Sequence, residues 1–427
     1  MVGEEQGENC LVLNVLTPGT DDKKRPVLIY IHGGGFTTNS GSILTGGDKL
    51  VREQNIVAVS VNHRLNAFGF LYLGDLDPKY KDSGMTGMLD LVLALHWVQD
   101  NIAFFGGDPS RVTLMGESGG GMKISTLLAM KEAKGLFAQA IIESGSNVAG
   151  TYIRGQATQD ALAFLKRAGV DSEHLEQIQE LPTETLRKAI GFGLDGYAPV
   201  ADGIHLQPNP TGKFCVYPSA KGVPIMVGAS TEELAAFVPP DKFSIGWEQL
   251  KEELTAPVMG GKAMTPEQAE AAIALFQKEE PDITSDHLYM QAVSMMSFLG
   301  NGAHRQADIM ARESEAPVYH YLITKGSPYR DPAITEKRYA WHTADLPLQL
   351  RIVANSEQEE ESKRYARLWG NFIRTGAPSD GEIRWPQYTP EEKETMVFGE
   401  SAGVQKKPLK RYTRFLIRWS KKFLKNT

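Results

Sequence analysis

Along the first two thirds of the chain, short β-branched apolar runs alternate with longer stretches whose apolar residues recur at helical spacing. Val27-Leu-Ile-Tyr-Ile31, Ile56-Val-Ala-Val-Ser-Val61, Val112-Thr-Leu-Met115, Ala140-Ile-Ile142 and Val223-Pro-Ile-Met-Val227 are apolar at nearly every position, the pattern of strands covered on both faces. Met85 to Ile102 and Gly120 to Met130 read as the helices between them. This repetition predicts an α/β fold with a mostly parallel central sheet and helices on both faces. From about 156 to 194 and from about 247 to 312 the pattern turns helical and more charged, as expected of insertions covering one end of a sheet. Val318 to Ile323 reads as a late strand and Glu357 to Ile373 as a helix with one charged face. With no internal repeat and no long linker, residues 1–405 are expected to form one domain.

Composition narrows the function classes. The 427 residues carry 45 Lys and Arg against 52 Asp and Glu, a net charge of −7 that argues against a general nucleic-acid binder. No apolar run approaches the ~20 residues of a membrane span. The start, Met1-Val-Gly-Glu-Glu5, lacks the basic and apolar regions of a signal peptide, and the chain contains no Asn-X-Ser/Thr sequon. Its two cysteines, Cys10 and Cys215, make neither a disulfide framework nor a metal cluster, so a reducing, cytoplasmic compartment is the expectation.

Two motifs carry chemistry. Gly116-Glu-Ser-Gly-Gly120 follows the strand Val112 to Met115 and opens a helix, the strand–turn–helix context in which a sharp turn exposes a serine hydroxyl. His32-Gly-Gly-Gly-Phe36 closes the strand Val27 to Ile31, and its glycines let successive backbone N–H groups converge on one oxygen. Read alone, the first could be a plain turn and the second a flexible loop. A phosphate cradle is the weaker alternative, because no Gly-X4-Gly-Lys-Ser/Thr is present and this loop does not itself read Gly-X-Gly-X-X-Gly.

Taken in order, Cys10-Leu-Val-Leu-Asn14, His32-Gly-Gly-Gly-Phe36, Asn101 with Phe105-Gly-Gly-Asp-Pro109, and Gly116-Glu-Ser-Gly-Gly120 resemble the type-B carboxylesterase family, in particular its bacterial para-nitrobenzyl-esterase-like members. That family is the cholinesterase-containing branch of the α/β-hydrolase fold. The resemblance implies a serine esterase with Ser118 as nucleophile, Glu233 as acid and His342 as base. Glu233 lies in Gly228-Ala-Ser-Thr-Glu-Glu-Leu-Ala-Ala-Phe237, with the adjacent Glu232 its competitor, and His342 lies in Trp341-His-Thr-Ala-Asp-Leu-Pro347. It implies an oxyanion hole from the N–H groups of Gly34, Gly35 and Gly119, and a polar network of Glu117, Ser144 and Asp345 behind the triad. His32 and His63 read as structural parts, and His96, His174, His205, His287, His304 and His320 as solvated or core residues. Ester hydrolysis by an acyl-enzyme needs neither cofactor nor metal, so none is expected; the expected partner is a small-molecule ester, not a nucleic acid.

Three features depart from the family pattern. Gly119 stands where alanine is usual, which suggests a slightly loosened oxyanion hole. Family members carry several dozen residues, including the first sheet strands, before the motif that here begins at Cys10, so a front segment with any signal peptide is expected to be missing. Third, residues 406–427 hold nine Lys and Arg and no acid, so the first 405 carry −16. Leu409, Tyr412, Leu416, Trp419 and Phe423 recur there at spacings of three and four, a basic amphipathic helix expected to dock on the catalytic domain or, in the sharper reading, on an anionic membrane. The runner-up functions are a lipase-like esterase at a membrane surface and a non-catalytic adhesion or scaffold member of the fold.

Overall fold

The structure is a computed structural model that describes residues 6–146, 152–190, 196–207, 219–257, 263–327, 337–353 and 356–408. Among the described residues nine strands form one sheet: β1 (Leu13–Leu16), β2 (Arg25–Ile31), β3 (Val57–Val61), β4 (Gly107–Glu117), β5 (Gln139–Glu143), β6 (Ile225–Ser230), β7 (Val318–Ile323), β8 (Glu394–Phe398) and β9 (Ala402–Lys406). Their spatial order is β1-β3-β2-β4-β5-β6-β7-β8-β9. The seven strands from β3 to β8 pair in parallel, while β1 and β9 close the two edges antiparallel.

Alternation along β2 explains the layers. Val27, Ile29 and Ile31 face one core, with Val57, Val59, Leu114 and the helix Thr86–Asn101. Leu28 and Tyr30 face the other, with Met115, Ile141 and the helix Glu359–Thr375. That last helix turns Tyr365, Leu368, Trp369 and Phe372 onto the sheet, starts on Glu359, Glu360 and Glu361 where the helix dipole favours acids, and stops at Gly376. The segment from 247 to 313 supplies the helices Trp247–Leu254, Pro266–Glu279, Ser285–Met296 and Phe298–Glu313, and a third core gathers on the first three around Phe243, Leu250, Phe276 and Tyr289. The earlier insertion contributes the helices Arg154–Ala168 and Thr183–Ile190.

The strands expected from the sequence are all present, some longer than their apolar runs. Lys406, which the sequence assigns to the start of a terminal helix, instead ends β9 opposite Glu394. Residues 409–427, with the rest of that predicted helix, and Cys215 lie outside the described residues. Among the described residues no helix is long and apolar enough to cross a membrane.

Register places the site. Ile31 pairs with Gly116, Glu117 with Glu143, and Glu143 with Gly228. The carboxyl ends of β2, β4, β5 and β6 are therefore level, and their loops open into one crevice, where open α/β sheets put ligands.

Candidate active site

Ser118 sits at the tip of the turn between β4 and the helix Gly119–Ala129, with φ 57° and ψ −123°. A non-glycine residue holds such backbone angles only where its surroundings over-determine them, at a cost of order 1–3 kcal/mol. Here Ser118 N–H donates to Glu143 O at 2.8 Å, and Met122 N–H donates to Ser118 O at 3.0 Å. Gly119 N–H then falls among the unpaired donors of the first helical turn, on the positive end of its dipole.

The glycine loop is pinned through its carbonyls. His32 O accepts from Lys123 Nζ at 2.9 Å, Gly33 O from His32 Nδ1 at 2.9 Å, and Gly34 O from Thr37 N–H at 3.2 Å and Thr38 N–H at 3.1 Å. In a planar trans peptide, fixing a carbonyl fixes the N–H of the next residue on the opposite side. The Gly34 and Gly35 N–H groups are thereby oriented, and among the described residues neither donates a hydrogen bond to the protein. Positive φ at both, 81° and 61°, is the backbone that glycine supplies. Gly119 owes its identity to close approach and not to looseness: a Cβ there would lie 2.3 Å from Gly35 O and 2.4 Å from Gly35 N. This replaces the sequence expectation of a loosened hole, since glycine lets the loop pack against the elbow.

The two adjacent glutamates part company after β6. Glu233 Oε2 accepts from His342 Nδ1 at 2.5 Å, and its Oε1 from Ser144 Oγ at 2.5 Å and Ser230 N–H at 2.6 Å. Glu232 turns the other way, accepting from His287 Nδ1 at 2.6 Å and Ala340 N–H at 2.8 Å. His287, read from sequence as solvated or core, thus has a buried carboxylate partner and stacks on Tyr339. The only signal in sequence was the Glu-Glu pair itself, because two neighbours pointing apart need two partners.

His342 is buried, with the ring of the 40 % exposed Phe237 tilted over it at 5.2 Å. Its Nε2 lies 3.1 Å from Glu117 Oε1, and among the described residues neither atom makes a hydrogen bond, nor does Ser118 Oγ reach His342. Before substrate is bound such bonds are commonly long. Burial opposes the imidazolium, but Glu117, Glu233 and Asp345 outweigh it and push His342 up to about 9. Burial, then Glu233 and Asp345, raises Glu117 to about 8 although His342 pulls the other way. Asp345 is raised to about 6, by burial first and then Glu233. Glu143 is held well above the ordinary range by burial and Asp345 while it accepts from Trp369 Nε1 at 2.8 Å.

The candidate triad, glycine-loop and polar-network residues therefore lie in or beside this crevice, but the expected polar network is divided. Ser144 joins through Glu233 and Glu117 through Nε2 of His342. Asp345 accepts from Gln349 Nε2 at 2.6 Å and reaches the others only through its field. Glu143 and Lys123 went unread. His32 is held near 3 by burial and then the Lys123 charge, and His63, stacked on it at 5.0 Å, well below its usual value. A metal-binding cluster of His, Cys, Asp and Glu is absent among the described residues.

A mostly parallel sheet with a strained serine between strand and helix, a pinned glycine loop and a glutamate–histidine pair following in chain order is the architecture of an α/β-hydrolase. The chain belongs to the carboxylesterase family, whose model matches residues 1–416, and is a carboxylic-ester hydrolase. It is 32% identical to the para-nitrobenzyl esterase of Bacillus subtilis (strain 168), covering 94% of this chain and 81% of that one. Against liver carboxylesterase B-1 of Rattus norvegicus it is 30% identical, over 90% and 73%. Among solved structures, a carboxylesterase of Geobacillus stearothermophilus superposes with a TM-score of 0.80 at 32% identity, covering 96% of this chain and 86% of that one.

Proposed function

We propose that this carboxylesterase works through Ser118, His342 and Glu233 by way of an acyl-enzyme. His342 Nε2 takes the Ser118 proton as Oγ attacks the ester carbonyl, while Glu233 holds Nδ1–H and stabilises the imidazolium. The tetrahedral oxyanion accepts from the N–H groups of Gly34, Gly35 and Gly119. Collapse breaks the ester C–O bond, and the imidazolium returns its proton to the leaving alkoxide. Water, deprotonated by His342, then attacks the acyl carbon, and its proton returns to Ser118 Oγ. No step calls on a cofactor.

The observation that carries this reading is the buried Glu233–His342 pair, at 2.5 Å, beside a serine held at positive φ. The name of the Bacillus relative refers to a para-nitrobenzyl ester, and Phe237 offers an apolar face beside His342 to such a substrate. A fluorophosphonate should label the protein covalently, with Ser118→Ala abolishing both the labelling and nitrophenyl-ester hydrolysis. A folded wild-type protein that takes no label would favour the scaffold reading, and an active Ser118→Ala enzyme would place the nucleophile elsewhere.

A further inference from the structure

Lys123 is fully buried in the helix that Ser118 opens, five residues after the serine. Lysine is almost never so buried without a counter-charge. Among the described residues no carboxylate lies within ion-pair distance of it, and the one hydrogen bond its Nζ makes is the 2.9 Å bond to His32 O. Its ammonium also lies 5.9 Å from the centre of the Phe36 ring. Lys123 therefore touches the first and the last residue of His32-Gly-Gly-Gly-Phe36 from beneath. Of the three successive carbonyls that set the loop, Lys123 holds the first, His32 O, and the ring of that same His32 holds the second, Gly33 O. Because a carbonyl only accepts, His32 must carry its proton on Nδ1, and a neutral ring is the state that a nearby ammonium and burial enforce.

We propose that Lys123 is a positioning residue for ester hydrolysis, tying the His32 carbonyl and the Phe36 ring together beneath the glycine loop so that the Gly34 and Gly35 N–H groups stay turned toward the Ser118 adduct. The proposal rests on the assignment of those N–H groups, with that of Gly119, as the oxyanion hole. Burial draws Lys123 down to about 7, and the neutral amine still has N–H bonds to donate to His32 O, so the hold on that carbonyl persists on both sides of that pH. A lysine that only held the fold together would lower the melting temperature when lost, whereas replacing this buried unpaired cation by a methionine of similar shape should leave the fold as stable or more so.

The test compares wild type, Lys123→Met and Lys123→Gln by kcat and KM on a nitrophenyl ester, by melting temperature, and by inhibition with a trifluoromethyl ketone, which adds Ser118 Oγ and presents an oxyanion. Lys123→Met should lower kcat about 10-fold or more with KM within about 2-fold, weaken the ketone by the same factor, and melt no lower than wild type. Lys123→Gln, which keeps a donor for His32 O, should recover part of the loss. A Lys123→Met enzyme with wild-type kcat and ketone affinity overturns the proposal, as does a loss confined to KM or one that Lys123→Gln does not relieve. Should Lys123→Met fail to fold, Lys123→Leu, which fills most of the same space without a donor, provides the same comparison. Wild-type enzyme that forms no tight adduct with the ketone would instead refute the oxyanion-hole assignment itself.

Discussion

Replacing Glu117 by glutamine removes a charge from beside the proposed base and leaves the shape of the site intact. Glu117 Oε1 lies 3.1 Å from His342 Nε2, and Glu117 is the foremost of the carboxylates that push His342 up to about 9. At an effective dielectric of about 20, opposite unit charges at 3.1 Å attract by about 5 kcal/mol, and with about 1.4 kcal/mol per pH unit the ceiling on the shift is about four units. Glu117 is itself raised to about 8, so near neutral pH it carries only part of a charge and the expected shift is about one to two units. The sign follows from the base having to be neutral. Without Glu117 the imidazolium is less stable, its pKa falls, and neutral His342 persists to lower pH. The acid limb of kcat/KM on a nitrophenyl ester, followed from pH 5 to 10, should move down by that amount. On the alkaline plateau kcat should fall, since the transition-state imidazolium loses one of its carboxylates. An acid limb that stays in place or moves up would refute the assignment of Glu117 as the group that holds the imidazolium.

The two neighbouring glutamates should separate cleanly by kinetics. Glu233→Gln removes the partner of His342 Nδ1 and should cost kcat about 10³- to 10⁴-fold, whereas Glu232→Gln, which faces His287, should stay within a few-fold of wild type; equal losses in kcat would contradict the division of roles. Gly119→Ala forces a methyl to 2.3 Å from Gly35 O, so kcat should fall by about 10²-fold and the protein should lose about 1–3 kcal/mol in a denaturant melt. An alanine enzyme unchanged in both would show that the loop has room to move aside.

The parallel sheet was legible because its strands are buried on both faces and so read as unbroken apolar runs; β2 is buried at all seven positions. The edges were not. β1 has one strand neighbour and mostly half-buried residues, and β9, Ala-Gly-Val-Gln-Lys, is largely exposed and polar. Each exists because a neighbour offers a free ladder, a condition that local sequence does not encode. Ser118 and the glycine loop were legible for the opposite reason, since their chemistry needs particular residues at fixed spacing in one turn. Glu233 and His342 needed the resemblance, as 109 residues separate them and only the fold brings Oε2 to Nδ1.

What stayed hidden is the charge balance, because a sequence does not rank its carboxylates by burial. Glu117 and Glu143 stand opposite one another on β4 and β5, level with the residue from which Glu233 and its loop depart, and Asp345 approaches from the chain just after His342. All four are buried, and the only basic group paired with any of them in the crevice is one imidazole, among the described residues. Four ionised carboxyls against one imidazolium would leave several uncompensated charges in a poorly solvated site, each costing several kcal/mol, so the cluster retains protons. That is the common cause of the raised values of Glu117, Glu143 and Asp345, and the excess field is what raises His342. The availability of a neutral imidazole for the proposed mechanism is then a property of the cluster, in which Glu117, Glu233 and Asp345 set the pH at which His342 loses its charge.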